Sequence, residues 1–181
     1  ISTTDLVRRK WLDNDFYGTT FSLLKDFDNL NLIIGGALSK YDGDHFGEVK
    51  WARFGSQNPD QRFYENTGLK KDFNLFVKAN YTISDNWSVF GDLQYRRVDY
   101  EVEGIDEGPV PVGLEDLNNF FNPKFGVSYF LNDSQFYFSY ARGNKEPKRA
   151  DYLANPEVRP ETLDDFEVGW KYLTENVILR T

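Results

Sequence analysis

The sequence has 181 residues, with 21 Lys plus Arg against 29 Asp plus Glu, and its net charge of −8 excludes a surface built to grip nucleic-acid phosphates. It holds no Cys and no Met, so disulfides, thiolate metal sites and a cysteine nucleophile are excluded as well. No run of about 18 apolar residues occurs, which rules out a transmembrane helix, whereas a membrane-crossing strand needs only about 9–11 residues of alternating pattern.

Aromatic residues make up 17% of the chain, and they favour strands. A first strand is expected over 5–27, with "WLDND" at 11–15 as a bulge. "FDNLN" turns the chain into a second strand, 30–41, because Asn and Asp tolerate left-handed backbone and bond their own main chain. A long connection, 42–61, follows, rich in Gly, Pro and charge, with a short extra hairpin expected near 49–54. The third strand, 62–83, turns at "SDNW" into the fourth, 87–103. A second long connection, 104–118, carries "GLEDLNNF", the one stretch able to form a helical turn. The fifth strand, 119–131, turns at "LNDS" into the sixth, 135–143. A third long connection, 143–160, leads to the seventh strand, 161–173, which turns at "TEN" into an eighth from 177.

Short and long connections therefore alternate. In an up-and-down sheet every second connection lies at the same end, so all tight turns fall on one side and all long loops on the other, as in outer-membrane barrels. The strands also alternate. Trp87, Val89, Gly91, Leu93 and Tyr95 share one face, while Ser88, Phe90, Asp92, Gln94 and Arg96 share the other. That apolar stripe is nine residues long with an aromatic at each end, matching a bilayer core and its two interfaces. Alternation alone fits equally a soluble β-sheet domain with the apolar face inward, binding carbohydrate through loop aromatics. The expected fold is all-β: an antiparallel up-and-down meander of about eight strands, part of a larger transmembrane β-barrel.

Several motifs carry a family resemblance. "QFYFSYARGNKEPKRADYLANPEVRPETLDDFEVGWKY" contains Tyr137, Ser139, Tyr140 and Gly143, then Glu146, Pro147 and Arg149, then Arg159, Pro160, Glu161, Leu163, Glu167 and Gly169. "FFNPKFGVSY" precedes it, and "DLQYRRVDY" and "YDGDHFGEVKWA" lie upstream. These segments resemble the TonB-dependent outer-membrane receptors over nearly the whole chain. The resemblance implies a receptor that imports a scarce nutrient (a siderophore, vitamin or glycan) across the outer membrane of a Gram-negative cell, energised by TonB through a plug. It implies no enzyme and no cofactor. Residues 1–181 then read as a single partial barrel segment with neither plug nor closing strand, and a free segment of this kind is expected to self-associate. In this reading Glu167 pairs with basic groups in the lumen, and outer-membrane lipid covers the apolar face.

Candidate sites lie in the loops. Asp42, Asp44, His45 and Glu48 combine carboxylate and imidazole donors that suit a divalent cation, or form an acidic, solvated loop tip. Asp106, Glu107, Glu115 and Asp116 make the second long connection acidic, to steer cationic ligands or to keep the surface soluble. Lys148 and Arg149, with Lys145, are candidates for an anionic ligand, or for salt bridges to Glu146 and Asp151. Phe46, Trp51, Phe54 and Tyr152 would stack on a small nutrient ligand such as a sugar or a macrocycle, or pack loop on loop. No G-x-S-x-G occurs, and the single histidine has no nucleophile context.

Overall fold

The computed structural model describes residues 4–54, 61–108, 110–175 and 177–180. Eight strands, β1 Leu6–Asp26, β2 Leu30–Ala52, β3 Arg62–Ser84, β4 Trp87–Asp106, β5 Val110–Leu131, β6 Ser134–Lys145, β7 Glu161–Leu173 and β8 Ile178–Arg180, and one short helix, α1 Arg149–Ala154, follow in order. The strands form one sheet in chain order, β1 to β8, an up-and-down meander that is not closed. Within it the described residues fall into two compact units, one from 1–19, 38–72 and 98–117, the other from 20–37, 73–97 and 118–181.

The second unit holds the tight turns. Phe27 N–H donates to Leu30 O at 2.8 Å, and Asn132 takes a φ of 49°, the left-handed conformation that Asn tolerates. Turn carbonyls also serve the strand beyond: Asn29 O accepts from Thr82 N–H, Asn86 O from Phe130 N–H and Asp133 O from Leu173 N–H, each at 2.8 Å. These bonds give turn main-chain groups partners within the sheet.

Register separates the two faces. Across β5, β6 and β7, Tyr129, Phe136 and Trp170 form one row, Val127, Phe138 and Val168 the next, and Phe125, Tyr140 and Phe166 the third. Between them lie Ser128, Tyr137 and Gly169, then Gly126, Ser139 and Glu167, then Lys124, Ala141 and Asp165. The apolar rows stand in the open, with Phe166 68% and Val168 79% exposed. Rings gather at both ends of this face. Trp87 stacks on Tyr129 at 4.7 Å nearest the turns, while Phe125 to Tyr140 at 5.2 Å and Tyr140 to Phe166 at 5.0 Å close the other end.

The first unit is built from parts of β1 to β5. Its buried apolar side chains are Val98, Val102, Val112, Val49 and Tyr64, with the polar Asn66 at 2% exposure among them. The expected first two loops are here largely strand. β2 continues to Ala52 with no extra hairpin at 49–54, β4 reaches Asp106, and "GLEDLNNF" lies inside β5. Charged, Gly-rich segments remain paired because their charges meet across strands. Residues 55–60 of the first expected loop and Asn176 of the last expected turn lie outside the described residues. The third connection carries α1, where no helix was expected: six residues are too few to show a period.

Candidate ligand-binding surfaces

In the first unit, β2 carries Trp51 to its end, where the indole is 53% exposed. Phe54 is 51% exposed just beyond, its backbone N–H donating to Thr4 Oγ1 at 2.9 Å and the Arg53 guanidinium 5.4 Å from its ring. Both side chains are accessible to a ligand. Nearby strand ends present further cations over rings: Arg8 lies 5.3 Å from Phe63, Lys10 6.0 Å from Tyr64 and Arg62 3.9 Å from Phe46. Glu107, from the β4–β5 connection, takes Lys10 on Oε1 and has Oε2 3.9 Å from Arg8.

The four proposed metal ligands have separate partners. Lys40 donates to Asp42 at 2.9 Å, Thr67 to Asp44 at 2.6 Å, and His45 Nε2 shares a 2.9 Å hydrogen bond with Tyr41 Oη, which donates in turn to Asn14. Glu48 Oε2 meets Arg9 and Lys50, each at 2.8 Å. The Lys50 hydrogen bond, with help from the Arg9 charge, holds the Glu48 carboxyl below its ordinary pKa against the burial that would raise it. Among the described residues no three His, Asp or Glu side chains converge on a cation position.

In the second unit, the connection 146–160 is fixed at its root. Arg96 donates to Glu146 through two nitrogens, at 2.9 and 3.2 Å, in a partly buried pair. Beside it Asn122 donates to Gln94 at 2.9 Å, Asn144 donates to Asn122 at 2.8 Å, and Thr162 donates to Asn144 at 2.8 Å, so four consecutive strands are tied in one polar row. Lys148 caps α1: its N–H donates to Asp151 Oδ2 at 2.8 Å. Its side chain is exposed, and Arg149 is half-buried. Tyr152 is 7% exposed, which makes it a packing residue of the loop rather than a stacking platform. Lys145 of the basic cluster pairs with Glu161 at 3.3 Å.

The mixed face of this unit is cut by an open groove of about 430 Å³ lined by Lys78, Asp92, Gln94, Asn122, Lys124 and Asp165 among others. Lys78 pairs with Asp92 at 3.2 Å, and Glu167 accepts from Tyr137 Oη at 2.9 Å instead of meeting a base.

The family profile described as "TonB dependent receptor-like, beta-barrel" matches residues 2–180. The chain belongs to this family. Solved structures share the fold. The ferric yersiniabactin uptake receptor FyuA from Yersinia pestis is 14% identical, with a TM-score of 0.59 over 96% of this chain and 28% of that one. The copper transporter OprC is 11% identical, with a TM-score of 0.71 over 92% of this chain and 28% of its own. The ferric citrate transporter FecA is 13% identical, with a TM-score of 0.60 over 91% of this chain and 25% of its own. The chain thus spans roughly a quarter of the length of these structures. No curated protein matches it in sequence. The eight-stranded open sheet is a segment of a TonB-dependent receptor barrel, a family of Gram-negative outer-membrane receptors.

Sequence reasoning passed over Arg8 and Lys10. Glu107 and Arg8 are ninety-nine positions apart by their numbering, so nothing local signals their meeting. Arg96, in phase with Asp92 and Gln94, is legible as part of the polar face of β4, whereas its pairing with Glu146, fifty positions on, is not.

Proposed function

We propose that residues 1–181 form part of the barrel of an active-transport receptor that binds a scarce nutrient at the cell surface and imports it with TonB-derived energy. The observation that carries this reading is the apolar face of β4 to β7, open along its length and edged by rings at both ends, backed by a polar face. That is the pattern of a wall between lipid and a wet lumen. In this reading lipid covers the apolar rows, TonB acts through a plug outside these residues, and Trp51, Phe54, Lys148 and Arg149 are the first candidates to touch the ligand. In this reading Asp42, Asp44, His45 and Glu48 hold no cation and are each engaged by their own partners. The free segment, with two sheet edges, self-associates or requires detergent. A soluble carbohydrate-binding domain is not supported, because such a domain would have to cover Phe166 and Val168 with a second layer. Members of the family are receptors rather than enzymes, and the segment is assigned no catalytic step.

The full-length gene, deleted and then restored in its host, tests the reading. Growth on limiting nutrient sources is compared with and without a functional TonB system. Loss of growth on one source class in both the deletion and the TonB-deficient strain is expected. Equal growth of all strains on every source would overturn it.

A further inference from the structure

In the first unit, Glu107 lies where neighbouring strands alone would not place it. It belongs to the β4–β5 connection, yet its partners Arg8 and Lys10 are on β1, and β2 and β3 intervene in the sheet. Gly104 makes the reach possible. Its φ of +131° suits glycine, and a Cβ there would stand 2.3 Å from Glu65 O. Just beyond, Ile105 O accepts from the buried Asn66 Nδ2 at 3.3 Å, so the tip lies along β3. The tip thus delivers one carboxylate to two cations, each of which flanks a ring, Phe63 or Tyr64.

The geometry points to Arg8 and Lys10 as a binding site for a carboxylate-bearing ligand, occupied here by the receptor's own Glu107 as an internal competitor. The inference rests on the receptor reading and narrows its ligand. Three features support exchange. The side chains of Arg8, Lys10 and Glu107 are 48%, 55% and 42% exposed, so the closing contact is weak and screened. The Arg8 contact, at 3.9 Å through one nitrogen, leaves the guanidinium fork free to take an incoming carboxylate with two hydrogen bonds. The flanking rings offer apolar surface to the rest of the ligand. Binding a carboxylate therefore releases the β4–β5 tip, and the tip reports occupancy.

Tricarballylate, a tricarboxylate with little affinity for metals, is the probe, with its trimethyl ester as the uncharged counterpart. Binding is measured by calorimetry on the full-length receptor in detergent at fixed ionic strength. Glu107→Gln removes the competitor and is expected to tighten tricarballylate binding about 3–10-fold, by raising the competent fraction. Arg8→Ala with Lys10→Ala is expected to weaken it at least about 10-fold. The exchange Lys10→Glu with Glu107→Lys restores a closing pair while reversing the site, and binding is expected to fall by a similar factor. Unchanged or weaker binding in Glu107→Gln, wild-type binding in the exchange, or equal binding of the ester would each overturn the proposal. Failure of TonB-dependent uptake with this binding pattern intact counts against the receptor reading alone.

Discussion

Arg96 and Glu146 illustrate how much one pair determines. Both side chains are more than three-quarters shielded, and the fork geometry satisfies both carboxylate oxygens. Removing either partner takes two charge-assisted hydrogen bonds from the other, so Arg96→Ala or Glu146→Ala is expected to destabilise the folded receptor by about 1–3 kcal/mol. The double change should cost less than the sum of the two, read by denaturant unfolding in detergent. Glu48 makes a different prediction. Its folded pKa is depressed, so its charged form adds stability that is complete above the unfolded value of about 4.5 and is lost as pH falls through the lower folded value. Wild type and Glu48→Gln should therefore differ in melting temperature at pH 7 and converge toward pH 3. A constant gap across that range would show that the pairs with Arg9 and Lys50 do not act through charge.

At the scale of strands, one arrangement recurs on the mixed face of the second unit. A ring from one strand lies against a glycine of the next: Phe76 against Gly35, Phe90 against Gly126, Tyr137 against Gly169. A Cβ at Gly126 would meet Phe90 Cε1 at 2.2 Å and Phe138 O at 2.9 Å. Gly126→Ala is thus expected to cost about 1–3 kcal/mol through overpacking, and distinctly less in a Phe90→Ala background. This explains why Gly169 belongs to the recognisable motif of β7, a role that spacing alone did not reveal. What was legible in the sequence were the strands with strict period two and the Asn/Asp turns between them, because each signal is local. The ends of β2, β4 and β5 were not. Their charged residues look like loop, and only the partners across the sheet, such as Arg9 for Glu48 or Thr67 for Asp44, show why the ladder continues. Of the ligand candidates, Trp51 and Phe54 are about half exposed, whereas the burial of Tyr152 depends on a helix too short to leave a pattern.

For the whole receptor, the two faces predict opposite tolerance to charge. Val168 sits in the middle apolar row, between Phe166 and Trp170 along β7. If lipid covers that row, Val168→Arg should destabilise the receptor by about 2–4 kcal/mol in bilayers. Ser139→Arg, one row away on the mixed face, should be close to neutral. The comparison is made by unfolding in liposomes, and equal effects at the two positions would contradict the lipid-facing assignment.

Because the sheet runs β1 to β8 without a crossover, the main chain of every strand pairs with its neighbours in sequence. Inheritance can act on such a wall a hairpin at a time. Excising or duplicating an adjacent pair of strands leaves the pairing partners of all others in the same order, and it keeps turns and loops at their own ends. A lineage built this way can widen or narrow its pore in steps of two strands, and can exchange one loop for another, without inventing a new fold.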